Sequence, residues 1–433
     1  MIVFIGISLM IFFLLIGAPV GFALGLSGVI GLYWVGGMDA VSGVMNTVPY
    51  RTAASYTLTT IPMFILMAEL ISESGIVKEL FSAAQKWLER LPGGLAIASV
   101  FASAGMAALS GSSTASAAAL ASISIPEMIR HGYKPHVSAG VITVAGTLAI
   151  MIPPSIPFVI YGAVTENSIG KLLIAGIIPG LMTASVYALG IIIWSKISPN
   201  DMPRSSSRYS WQEKWHSIRD LWAFAILASM ILGSMYLGLA TPTEAAAVGA
   251  FGALVIPLLK RQIALRGIRK AVHKTIEVTT MIFMIIIGAM IFGYFLTMTQ
   301  AAQGLIGYIG GLHTSRTMVL FLIVVMYLIL GCFLDVIAIL LITLPLVYPL
   351  IISLGYDALW FGVIIVKLIE IALITPPLGM NAYVVSASSK IPLEQVFRGT
   401  IVMLSFEAVT LGLLLYFPSI STWLPSMMLT SIK

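Results

Sequence analysis

The chain has 433 residues, of which 59% are hydrophobic and only 9% charged, and its mean hydropathy is +1.03. Soluble domains carry about 25% charged residues, so this composition excludes a water-facing surface and requires a lipid bilayer as solvent. The formal charge of +6 comes from basic stretches lying between apolar ones, a pattern of membrane topology and not of nucleic-acid binding.

The single cysteine, Cys332, excludes an internal disulfide and any cysteine-rich zinc or iron–sulfur site. Five scattered histidines (His131, His136, His216, His273 and His313) form no HExxH motif and read as solvated or capping residues. No GxxxxGK[ST] phosphate loop is present, which argues against an ATP-driven pump within this chain. No paired catalytic carboxylates and no GxSxG support an intramembrane enzyme.

Taken in chain order, Met1-Ile2-Val3-Phe4 lacks a basic n-region, and its apolar run outlasts a signal peptide, so it reads as a retained first helix. A membrane-spanning helix needs about 20 apolar residues. Candidates lie near 2–35 (bent at Pro19), 54–74, 172–195, 220–239, 243–259, 275–299 and 397–417. Residues 75–91 are amphipathic, with Leu80, Phe81, Trp87 and Leu88 on one face and Lys78, Lys86, Glu89 and Arg90 elsewhere. Two readings stand open: a helix lying on the membrane surface, or one packed on neighbours with one wet face. Between 94 and 166, and again between 316 and 390, Gly, Ser and Pro cut the apolar runs, which predicts hairpins and broken helices. Two loops are basic: Lys196 to Arg219, with Arg204, Arg208 and Lys214, and Lys260 to Lys274, with Arg261, Arg266, Arg269 and Lys270. Two spans separate them, so both fall on one side, which the positive-inside rule assigns to the cytoplasm.

The sequence also matches itself at a shift of 223 residues. Pro153-Pro154 recurs as Pro376-Pro377, Gly132-Tyr133 as Gly355-Tyr356, Pro126 as Pro349 and Gly176 as Gly399. Each copy reads as a broken apolar hairpin, Gly-Tyr, a helix, Pro-Pro and another helix. Such duplication marks secondary transporters, whose sites form from discontinuous helices at the repeat interface. It suits an occluded site better than a continuous pore. Inversion of the two copies is an expectation from that class.

The first hairpin tip, Leu109 to Ala118, holds Ser110, Ser112, Ser113 and Thr114 among small residues. Hydroxyls and unwound carbonyls suit a hard cation, and the following helix N-terminus suits an anion; a small-residue packing face is the plainer alternative. Asp335 falls opposite Ser112 at the second tip, where it can cap a helix, coordinate a cation or carry a proton. Proline removes a donor and frees upstream carbonyls, so Ala149, Ile152 and Pro154 in one copy, and Ala372, Thr375 and Pro377 in the other, are candidate partners of the tips. Asn381 and Ser155 are candidates for substrate contact. Lys367 and Glu370 can pair on one helix face; unpaired, Lys367 would be a counter-charge for an anion.

Gly111-Ser112-Ser113-Thr114-Ala115, Ile152-Pro153-Pro154-Ser155 followed by Ala175-Gly176-Ile177-Ile178-Pro179-Gly180, Thr241-Pro242-Thr243-Glu244-Ala245-Ala246-Ala247, Gly331-Cys332-Phe333-Leu334-Asp335 and Thr375-Pro376-Pro377-Leu378-Gly379-Met380-Asn381 together carry a family resemblance. They resemble the large membrane (M) subunit of tripartite ATP-independent periplasmic (TRAP) transporters, over nearly the whole chain. The resemblance implies a sodium-driven elevator in the bacterial inner membrane, similar in fold to the divalent-anion/sodium symporters. It implies a small four-helix membrane (Q) subunit and a periplasmic substrate-binding (P) protein as partners, and C4-dicarboxylates or sialic acid as substrate types. Because the chain begins at the large subunit's first helix, the Q subunit is expected as a separate chain.

The resemblance also implies a first cation site from Ser110, Ser112 and Ser113 with Ala149, Ile152 and Pro154. A second uses Gly331, Ala372, Thr375 and Leu378. Substrate is expected between the tips, at Ser112, Thr114, Ser155, Asp335 and Asn381, and no cofactor beyond Na+ is implied. Ala149 stands where the family often carries glycine, a change that backbone ligation survives.

The expected fold is thus an all-α polytopic membrane protein, one transmembrane domain over 1–433, with an inverted internal repeat, two re-entrant hairpins and broken helices. Its expected parts are N-terminal scaffold helices with an amphipathic arm (1–92), transport repeat 1 (93–166), scaffold helices (167–315), transport repeat 2 (316–390) and a C-terminal helix (391–433). The expected function is sodium-coupled import of an organic acid. A proton-coupled carrier using Asp335 is the alternative.

Overall fold

A computed structural model describes residues 2–203, 209–312 and 314–428 and contains helices with no strand among them. Arg204, Arg208 and His313, singled out above, lie outside the described residues. Seven of the described helices are long and apolar enough to cross a membrane, or nine if two bent pairs each count as one span.

α1 (Ile2–Leu15) ends at Gly17, which is left-handed at φ 84, and α2 (Val20–Ala53) starts after Pro19. The expected bend at Pro19 is therefore a full break. α2 also outruns its predicted end at residue 35, kinking at Gly37 (φ 67, ψ −162) on the way to Ala53. A short turn leads into α3 (Thr60–Ser74), and Gly75 (φ 79) lets α4 (Ile76–Leu88) swing away by 67°. The apolar face of α4 is covered: Ile76, Val77, Leu80 and Phe81 are buried and the helix packs on α5 (Gly94–Ser110). Of the two open readings for this arm, the packed helix with one wet face is the one observed.

The first copy continues with α6 (Ser113–Arg130), α7 (Pro135–Ala145), α8 (Leu148–Met151) and α9 (Ile156–Thr165). Then come α10 (Ile169–Ala175), α11 (Ile177–Ile197), α12 (Trp211–Asp220), α13 (Trp222–Ala228), a π turn over Ser229–Gly233 and α14 (Ser234–Tyr236). α15 (Pro242–Leu259), α16 (Leu265–Met298) and α17 (Ala301–Gly311) precede the second copy. That copy holds α18 (Arg316–Gly331), α19 (Val336–Ser353), α20 (Ala358–Ala372) and α21 (Met380–Ser389), and the chain ends in α22 (Leu393–Tyr416) and α23 (Ser419–Ser426).

Two predicted loops are partly helical. α12 starts inside the first, where Ser210 and Glu213 form a capping box, each satisfying a backbone amide of the other. Arg266, Arg269 and Lys270 sit on the opening turns of α16 and not in a loop. Both basic stretches do lie on one face, because both flank α4. Lys260 bonds Glu79 at 2.7 and 2.9 Å, and the Trp87 indole donates to the Lys214 carbonyl at 3.2 Å.

The 223-residue shift carries α6 onto α19 end to end and starts α20 where α7 starts. Gly132 (φ 83) and Gly355 (φ 78) occupy the same left-handed turn, and both Pro-Pro peptides are cis. The copies are inverted. The Tyr161 hydroxyl, late in α9, donates to the carbonyl of Ala358, the first residue of α20, at 2.8 Å. At the other face a Cβ on Gly399, early in α22, would collide with the His136 carbonyl at the start of α7. The two broken helices therefore cross the protein in opposite directions.

The helices pack in two groups. α1, α3 and α15 gather around the α2–α16 pair, where a Cβ on Gly28 would meet Phe292 at 2.8 Å. α5 to α9, α11 and α18 to α22 form the other group around the hairpins and breaks. α7 and α22 cross with no side chain between them at Gly140 and Gly399, the small-residue contact that lets membrane helices approach closely. Replacing Gly399 with Val is expected to lower stability by about 1–3 kcal/mol through overpacking. Thermal unfolding of the purified protein in detergent checks this, and an unchanged midpoint would refute the close crossing.

Candidate functional site: two hairpin tips and two broken helices

The first tip is a two-residue reversal. Gly111 takes a left-handed turn (φ 61), and Ser112 caps α6 by accepting from the Ala115 amide at 3.4 Å. The tip sits against the first break: a Cβ on Gly111 would lie 2.5 Å from the Pro154 carbonyl. Ser110 and Ser116 share a hydrogen bond at 2.7 Å, and Ser112 and Thr114 one at 3.4 Å. Ser110 and Ser113 are buried, while Ser112 and Thr114 are half-buried.

In the break, Pro153 and Pro154 have no N–H to offer, so the Ala149 and Ile150 carbonyls lose their helical donors. Ser155 answers one of them, donating to the Ile150 carbonyl at 2.5 Å while it caps α9 by accepting from Phe158. Ser155 is wholly buried, and its hydroxyl closes the broken end of its own helix. Ala149, Ile152 and Pro154 are buried beneath the tip.

The second tip repeats the plan with different chemistry. Gly331 ends α18 directly against Ala372, which a Cβ there would strike. Cys332 contacts the Pro376 carbonyl through sulfur at 3.6 Å. Asp335 caps α19, accepting from the Ala338 amide at 3.0 Å, as Ser112 does in its own copy. Among the alternatives for Asp335, helix capping is thus observed. In the second break the Leu373 carbonyl, freed by Pro377, accepts the Asn381 amide at 3.1 Å, and the Thr375 hydroxyl turns back to the Ile371 carbonyl at 2.6 Å. Leu378 is 42% exposed, whereas Gly331 and Ala372 are buried.

Asn381 ties the two halves together. It belongs to the second copy, yet its side-chain amide donates to Ser113 of the first tip at 2.5 Å and to the Thr143 carbonyl at 3.3 Å. Its Oδ1 is buried and has no partner among the described residues. Sequence reasoning placed Asn381 near substrate but missed this bond and the part played by Thr143.

Lys367 and Glu370 pair at 2.8 Å, both wholly buried, so the pairing reading holds. The pair has a third member that sequence reasoning missed. Glu407 on α22 meets Lys367 at 2.5 Å, accepts from Thr410 at 3.0 Å and receives the Tyr187 hydroxyl from α11. Thr183 completes the group at 3.3 Å from Lys367. A signal existed, since Glu407 is an acidic residue inside an apolar span, the argument already applied to Asp335.

A cavity of about 700 Å³ lies elsewhere, toward the face opposite the basic stretches. It separates the two helix groups, with Arg51 and Tyr294 on one wall and Gly162 and Glu166 on the other. His131 and His136 approach Glu127 and Asp201, and no group able to hold a transition metal occurs among the described residues.

Residues 7–420 match the family described as the tripartite ATP-independent periplasmic transporter, DctM component. The chain is 38% identical over 379 residues to the C4-dicarboxylate TRAP transporter large permease protein DctM of Pseudomonas aeruginosa, covering 87% of this chain and 88% of that one. It is 30% identical over 377 residues to the sialic acid TRAP transporter large permease protein SiaM of Vibrio cholerae, covering 87% of each. In fold it is similar to the YdaH transporter of Alcanivorax borkumensis, with a TM-score of 0.56 at 14% identity over 88% of this chain and 90% of that one. A transporter and not an enzyme, a multi-pass protein of the inner membrane, the chain belongs to the DctM component, the large permease, of the TRAP transporter family.

Proposed function

We propose that the chain imports a small organic acid of the C4-dicarboxylate or sialic acid type by sodium-coupled symport. A periplasmic substrate-binding protein delivers the substrate, and a small four-helix membrane subunit completes the permease. The family description names a tripartite system, and the two relatives are named for carboxylate substrates.

The observation that carries the reading is the seating of each tip on its own break, Gly111 against Pro154 and Gly331 against Ala372. Each junction gathers carbonyls that proline has stripped of donors, which are ligands for a hard cation, beside the N-terminus of a half-helix, which favours an anion. In this reading one cation sits among Ser110, Ser112, Ser113, Ala149, Ile152 and Pro154, and a second among Gly331, Ala372, Thr375 and Leu378. The substrate lies near Ser112, Thr114, Ser155, Asp335 and Asn381. Transport is an elevator movement of the group built from α5 to α9 and α18 to α22 against the α2–α16 group. α11 travels with the moving part, since Tyr187 is bonded to Glu407.

Uptake of labelled substrate into proteoliposomes, with both partners present, is expected to fall to background when the sodium gradient is removed; unchanged uptake would sink sodium coupling. The proton-coupled reading separates at Asp335. Asn caps helices as well as Asp does, whereas Ala costs about 1 kcal/mol of helix stability. Asp335→Asn is therefore expected to keep most transport and Asp335→Ala to lose more, whereas abolition by Asp335→Asn would favour a proton carrier.

A further inference from the structure

We propose that α12 is an interfacial anchor, seated in the cytoplasmic leaflet of the bilayer by a stripe of tryptophans. The helix has three faces. Lys214 and Ser217 are buried against the protein, and the helix packs on α4. Gln212, Glu213, His216, Arg219 and Asp220 form a polar, exposed face. Between them runs a third face that is apolar yet uncovered: Trp211 is 68% exposed, Trp215 62%, Ile218 41% and, just beyond the helix, Trp222 43%.

The position of this stripe identifies what covers it. Trp222 opens α13, and α12 and α13 together pass as a membrane span bent by 46°. The exposed stripe continues without interruption along that span through Ile226 and Met230. A row of apolar side chains that runs off the outward face of a spanning helix faces the same solvent along its length, and for the span that solvent is lipid. The bend turns the α12 portion toward the membrane plane, where tryptophan settles at the headgroup level. The polar face, with Arg219 and His216, then meets headgroups and cytoplasm, as in an in-plane amphipathic helix.

The anchor is joined firmly to the rest of the protein. Trp87 of α4 makes edge-on contacts with Trp211 and Trp215 at 6.0 and 6.1 Å, and the Lys214 ammonium lies 5.5 Å from the rings of Trp87 and Trp211. α4 in turn carries α5, the first arm of the first hairpin, and holds the α15–α16 turn through Glu79 and Lys260. The stripe therefore fixes α4, from which the first hairpin departs, to the depth of the cytoplasmic interface. None of this depends on which ion drives transport.

The full chain is reconstituted in vesicles of phosphatidylcholine and phosphatidylglycerol, with the phosphatidylcholine brominated near the headgroup end of its acyl chains. The fluorescence lost in Trp211→Phe/Trp215→Phe defines the contribution of the stripe. Brominated lipid is expected to quench that contribution by about twofold or more, as for an interfacial tryptophan, and aqueous acrylamide much less. Quenching by acrylamide as strong as or stronger than by lipid would place the stripe in water and overturn the anchor. Quenching by neither would mean that another protein surface covers it, which also overturns the proposal. If the double replacement does not assemble, Trp222→Phe gives the same readout.

Discussion

In a bilayer every backbone amide and carbonyl must find its partner inside the protein, and this protein breaks two helices at membrane depth. The arrangement around those breaks follows from that constraint. Proline removes the donors, so carbonyls are left over. Some are met by local devices, Ser155 on Ile150 and the Asn381 amide on Leu373. The rest lie under a hairpin tip, and the tip approaches that closely because glycine stands at its turn. The wall that shields the unwound backbone from lipid is thus also the wall of the candidate site.

Buried charge obeys the same rule. An ammonium inside a membrane protein needs carboxylates held close, and Lys367 has two, on different helices. The three groups join α20 to α22, and Tyr187 adds α11 from the part of the chain between the two copies. A network with two acids and one base ties these helices by charge where their apolar surfaces alone would slide. The glycine crossing of α7 and α22 adds a second fixed point on the same terminal span.

Much of this was legible in the sequence, and the reasons are physical. The self-match at 223 residues located both hairpins and both breaks because the residues that recur, Pro-Pro and Gly-Tyr, set backbone geometry and not surface chemistry. The exchange of Ser112 for Asp335 was readable as a cap because both residue types perform that task. Long-range pairings were not legible. Nothing local marks Asn381 as the partner of Ser113, 268 positions away, and Glu407 joins Lys367 only because α22 folds back along α20. The bond from Ser155 to Ile150 was not legible either, because a hydroxyl beside a break serves ligand and helix end equally well. The helical start of α12 was masked by charge: Lys214 and Arg219 read as loop, although the spacing of Trp211, Trp215 and Ile218 already described one side of a helix.

The bond from Asn381 to Ser113 has a consequence for how the two copies behave as a pair. One residue is owned by the second copy through the chain and by the first through contact, so neither half can rearrange in private. A shift of the serine-bearing turn must either break that bond or carry the opening of α21 with it. Two halves cut from one ancestral pattern are thereby pinned to each other through a single side chain.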